Sequence, residues 1–95
     1  MNLLRILAAV LTLALAAMAQ NATSDDALYD LVRIRLAQDV DVNGGAIDVS
    51  VKAAVVTLKG KIRSEKARVK AAKIAGKVKG VKDVVNQLTV DPNAP

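Results

Sequence analysis

The 95-residue chain contains no cysteine, no histidine, no tryptophan and no phenylalanine, and Tyr29 is its sole aromatic residue. Each absence excludes something. Without cysteine there is no disulfide, no thiolate metal site and no lipid-modified cysteine behind a signal sequence. Without histidine the chain lacks the commonest general base near neutral pH and the commonest metal ligand, so Ser24, Ser50 and Ser64 have no imidazole to activate them. With one aromatic ring there is no platform on which unpaired bases stack, and aliphatic residues must fill the core. The expectation is a protein that is not an enzyme and holds no cofactor or metal.

What is present begins with a positive start, Met1 to Arg5, and a nearly unbroken apolar run, Ile6 to Ala19. The run is too short to span a bilayer comfortably, and it ends in Ala17-Met18-Ala19, which fits the small-x-small pattern of a cleavage site. Residues 1–19 therefore read as a signal peptide cleaved after Ala19, so the mature protein is expected to be exported. The competing reading, an uncleaved anchor, lacks the length and flanking charge of a stop-transfer segment. Removing 19 of 95 residues leaves 76, a single small domain with a modest core.

Formal charge is +5, but its distribution says more than its sum. Asp25 to Asp48 holds six Asp against Arg33 and Arg35, whereas Lys59 to Lys82 holds ten Lys or Arg against Glu65 alone. An anionic partner is expected on the second half.

Hydrophobic periodicity gives the elements. Ser24 followed by Asp25 and Asp26 is a helix start, and Leu28, Leu31, Val32 and Leu36 recur at helical spacing over about Asp25 to Gln38. Arg35 falls close to that face. Asp39 to Gly45 is a turn region ending in Asn43-Gly44-Gly45. Ile47, Val49 and Val51, then Val56, Leu58, Gly60 and Ile62, alternate as strands, with a tight antiparallel connection around Lys52 to Ala54. Ser64 caps a second helix, Gly80 follows it, and a last strand of about Lys82 to Val90 turns Val84, Asn86, Leu88 and Val90 inward before the tail Asp91 to Pro95. Three strands with one apolar face need a cover that two amphipathic helices supply, so the fold class is α+β, a two-layer αββαβ sandwich with a three-stranded mixed sheet. The domain limits are a polar lead over 20–26, the domain over 27–90 and the tail over 91–95.

The stretch "VVTLKGKIRSEKARVKAAKIAGKVKGVKDVVNQLTV", Val55 to Val90, resembles a BON domain, the small module named for bacterial osmotic-shock and nodulation proteins. The resemblance rests on Val56-x-Leu58-x-Gly60, the Ala-rich helix, Gly80-Val81, and Val84-x-Asn86-x-Leu88-x-Val90. Upstream, Leu28 to Val51 fits the family's opening helix and first strand. One departure is Ala53-Ala54 at the hairpin, where the family usually has Gly with a small polar residue; alanine tolerates positive φ less well, which implies a longer turn or one of another type. The resemblance implies an envelope location, no enzymatic activity, and a role in binding phospholipid or supporting the envelope under osmotic stress.

At about 100° per residue, Lys66, Lys70, Lys73 and Lys77 share one arc of the second helix, away from Ala67, Ala71, Ile74, Ala75 and Val78. These four lysines are the candidate phospholipid-binding residues. A solvated face is the plainer reading of any charge run, but such faces usually interleave Glu at i,i+4, and only Glu65 is at hand. Nucleic acid is disfavoured by the export signal and the missing aromatics. Gly60 and Gly80 are read as structural glycines, Gly60 on the inward face where the helix layer approaches the sheet. Asp39, Asp41 and Asp48 offer oxygen ligands near a turn, yet their spacing does not match an EF-hand loop, so they are read as solvated. An envelope protein bound through the sheet edge or the acidic first helix is the alternative partner.

Overall fold

Ser24 opens the first helix: in the computed structural model its Oγ accepts the Ala27 N–H at 3.2 Å, and Asp25 and Asp26 occupy the positive end of the helix dipole. The structure describes residues 23–42 and 46–95; residues 1–22, which include the expected signal peptide, and Asn43-Gly44-Gly45 lie outside the described residues. Helix α1 covers Asp25–Gln38, β1 Ile47–Lys52, β2 Val55–Ile62, α2 Glu65–Gly76 and β3 Asp83–Val90. This is the expected α+β order. The sheet runs β1-β2-β3, with β1 antiparallel and β3 parallel to β2. A parallel neighbour requires a crossover, and α2 supplies it.

Both helices pack on one sheet face. Helix α1 buries Leu28, Val32 and Leu36, and α2 buries Ala67, Ala71 and Ala75; these stripes close over Val56, Leu58, Ile62 and Leu88. Leu31, expected in the core, is 40% exposed, because it lies about 100° around the helix from the middle of the Leu28-Val32-Leu36 stripe. Two residues that periodicity does not place in the core, both outside the regular elements, join it instead. Val42 is buried after an Asp39 turn in which Oδ1 accepts the N–H groups of Asp41 and Val42, and Ala94 is buried by a tail turn closed by its N–H on the Asp91 carbonyl. Every helix, strand and core residue described belongs to Asp25 or later, so residues 20–95 contain the whole two-layer arrangement.

The hairpin is shorter than expected. Lys52 pairs with Val55, which leaves only Ala53 at φ 50° and Ala54 at φ 64° to reverse the chain. Two positive-φ positions are what a two-residue turn matching the strand twist demands, but a Cβ there costs about 1–2 kcal/mol per residue. The compensation comes from α1: Asp25 Oδ2 accepts the Ala53 N–H and Oδ1 the Ala54 N–H, each at 2.9 Å. The Ala54 carbonyl in turn accepts the Lys82 N–H at 2.8 Å.

Gly60 has φ +123° and pairs with Ile47; a Cβ there would sit on the carbonyl oxygen of Ala46. The close neighbour is therefore the backbone entering β1, not the helix layer. Gly80, at φ +102°, lies in a turn closed by the Val81 N–H on the Val78 carbonyl at 3.1 Å, and a Cβ would come 3.1 Å from Leu28 Cδ2. Helix α2 ends at Gly76, short of Gly80, because the chain turns there to bury Val78 and reach the sheet. From β3, the Asn86 side-chain amide donates to the Arg68 carbonyl of α2 at 2.9 Å, and its oxygen accepts the Leu88 N–H at 3.2 Å.

The turn predicts opposite outcomes at its two ends. Ala54→Gly should raise the urea midpoint, by up to about 1 kcal/mol of stability, since it removes the αL penalty. Asp25→Ala should lower it by about 1–3 kcal/mol, since two turn amides lose a charged acceptor. A midpoint unchanged in both variants would mean that the turn is neither strained nor held.

Candidate anion-binding surface

Ser64 caps α2 as Ser24 caps α1, its Oγ accepting the Ala67 N–H at 3.1 Å. Glu65 follows in the first turn and takes Arg68 through both oxygens, from Nε at 2.8 Å and Nη2 at 2.6 Å. That pair holds the Glu65 carboxyl below its usual range and raises the Arg68 guanidinium. Burial of the alanine stripe then fixes which way the lysines point. Lys66, Lys73 and Lys77 are exposed, and among the described residues none has a carboxylate within 4.0 Å. Lys77 caps the helix rather than belonging to it.

Lys70 differs from the other three. Its Nζ lies 2.7 Å from Asp41 Oδ2 and 3.0 Å from Asp39 Oδ2, so it ties α2 to the end of α1. The ammonium lowers the carboxyls of both Asp39 and Asp41; the loop N–H groups of Val42 and Asp41 add to the effect on Asp39, and Lys66 adds to that on Asp41. The two carboxylates in return raise Lys70. The structure thus keeps Lys66, Lys73 and Lys77 as free cations and turns Lys70 into a clasp.

The clasp also bears on cation binding. Asp39-x-Asp41-x-Asn43-Gly44 does follow the opening half of an EF-hand loop, but the twelfth position is Ser50 in β1, where the closing bidentate carboxylate should stand. Asp48 pairs across the sheet with Lys59. Among the described residues no group of three or more acidic side chains is placed to hold a metal ion.

A model of the BON domain family matches residues 24–92, from the cap of α1 into the turn behind β3. The chain belongs to the BON domain family. No curated protein matches it. Membership carries the general reading of a membrane-associated binding module, while among the described residues no helix is long and apolar enough to cross a membrane. In this BON domain the residues that sequence reasoning missed are Asp39 and Asp41 as partners of Lys70. The helix pattern shows four equivalent lysines; only the packing of α1 beside α2 brings Asp41, 29 residues away in the chain, and Asp39 with it, to one of them.

The clasp predicts a pH-dependent cost for Lys70→Gln. Carboxyls lowered in the folded state stabilise it above the ordinary aspartate range, and that contribution is lost as pH falls through their folded values; the raised Lys70 contributes below the ordinary lysine range and is lost as pH rises through its folded value. Lys70→Gln should therefore unfold at lower urea than wild type near neutrality, with the two midpoints converging in acid. A gap of the same size at both acidities would rule out an ionic origin.

Proposed function

We propose that this BON domain is an exported, periplasmic, non-enzymatic module that contacts anionic phospholipid headgroups through α2 and supports envelope integrity under osmotic stress. The observation that carries this reading is the set of exposed lysines Lys66, Lys73 and Lys77 without carboxylate partners among the described residues. Near an anionic surface each is worth about 1 kcal/mol, so three supply on the order of 100-fold in affinity. Val69, 42% exposed beside them, is the one large apolar side chain of α2 that is exposed. Contact is therefore peripheral and salt-sensitive. The positive start, the short apolar run and Ala17-Met18-Ala19 support export.

The test is co-sedimentation of residues 20–95 with anionic and with neutral vesicles, after circular dichroism has shown a folded domain. Wild type should pellet with anionic vesicles only, and Lys66→Gln/Lys73→Gln/Lys77→Gln should stay in the supernatant while unfolding at an unchanged urea midpoint. Equal pelleting of wild type and the triple variant removes the lipid reading.

A second reading, strand addition by an envelope protein, is favoured by the edge strand β3. Between Asp83 and Asp91 it carries no charge, no proline and no glycine, whereas the other edge, β1, carries Asp48 and Lys52. Val85→Lys places a charge on that edge and should abolish capture of such a partner without affecting vesicle binding; loss of vesicle binding instead would put β3 on the lipid surface.

A further inference from the structure

We infer that the domain meets the headgroup layer end-on, through the last turn of α2 and the Lys77–Lys82 segment behind it, and not along the length of the lysine stripe. The inference rests on the lipid reading above and concerns which lysines carry it. Its basis is an asymmetry in pairing along α2. At the N-terminal end Arg68 is taken by Glu65, Lys70 by Asp39 and Asp41, and Lys61 lies 3.9 Å from Asp91, so that Arg63 and Lys66 are the unpaired cations among the described residues there. A negative surface approaching there meets four carboxylates as well as the cations. At the C-terminal end Lys73, Lys77, Lys79 and Lys82 are all exposed, and none has a carboxylate within 4.0 Å among the described residues.

The segment Lys77-Val78-Lys79-Gly80-Val81-Lys82 is built to present those charges. Val78 belongs to the core and Val81 packs against it, so the lysines that alternate with them are turned outward. The turn at Gly80 and the bond from the Lys82 N–H to the Ala54 carbonyl, 2.8 Å, hold the segment against the hairpin, which brings exposed Lys52 to the same end. Three acids share this end with five exposed lysines, Lys52, Lys73, Lys77, Lys79 and Lys82. Both Asp25 oxygens accept turn amides, Asp83 Oδ1 accepts the Val84 N–H at 2.8 Å, and Asp26 sits in the first turn of α1. A cluster of cations fixed by its own backbone loses little freedom on meeting a headgroup layer.

Two double variants of residues 20–95 decide the matter, because each removes two positive charges and a dependence on net charge alone predicts equal losses. Lys79→Gln/Lys82→Gln should weaken co-sedimentation with anionic vesicles on the order of tenfold or more, and Lys66→Gln/Lys70→Gln by less than about threefold. Because the second pair breaks the clasp, a second measurement leaves α2 charged: the chain has no cysteine, so Lys79→Cys and Glu65→Cys each carry a single environment-sensitive fluorophore. Anionic vesicles should shift the emission at 79 and leave 65 unchanged. Equal losses in the double variants, or a shift at 65 equal to that at 79, overturn the end-on contact while the lipid reading stands. Wild type that fails to pellet with anionic vesicles overturns both.

Discussion

Everything in this fold depends on one carboxylate at the start of α1. Asp25 grips the two alanine amides of the hairpin turn, and through that grip three things are settled together. The chain reverses in two residues, which fixes the register of β1 against β2. Helix α1 is pinned by its first turn at the hairpin end, so that Leu28, Val32 and Leu36 fall along the sheet. The Ala54 carbonyl, held in place, receives the Lys82 N–H and so sets where β3 begins. A strained turn of non-glycine residues persists where its surroundings over-determine it, and here the surroundings are a charged acceptor at ideal distance.

How much of this could be read from residues alone depends on how local the signal is. The limits of α1 follow from Ser24, two acids and an apolar stripe, all within the helix, and they coincide with the structure. The strands of the hairpin are equally local, since alternation of Val and Ile with polar residues needs no partner to be recognised. The turn between them was not legible, because the residue that makes Ala53-Ala54 tolerable lies 28 positions upstream. The burial of Val42 and Ala94 was hidden for the same reason: each is carried into the core by an Asp-initiated turn in a stretch that composition marks only as a breaker region.

The lysine stripe shows the same division on the side of the candidate site. Helical spacing places four lysines on one arc, and the structure keeps that arc. What spacing cannot show is that charge on a helix is edited by its neighbours. Asp39 and Asp41 arrive from the far end of α1 and convert the middle of the stripe into an internal ion pair, which leaves the surface charge concentrated toward the C-terminal turn. The division of the chain into an acidic first half and a basic second half thus does not persist in space, because folding lays the acidic loop against the basic helix.

The bond from Asn86 to the Arg68 carbonyl has a consequence for what α2 can do at all. The face of α2 that meets the sheet is a row of alanines at positions 67, 71 and 75, small, alike and evenly spaced. Such a row packs closely but resists translation only weakly; slid by one turn along its axis, it offers the sheet a similar surface, with Ile74 at its margin the one larger side chain out of place. A single amide breaks that degeneracy. With Asn86 engaged, one axial setting of the helix satisfies the donor, and a displaced setting strands it against apolar neighbours. Asn86 is in effect the index mark of a sliding scale, and every charge on the outer side of α2 takes its coordinates from it.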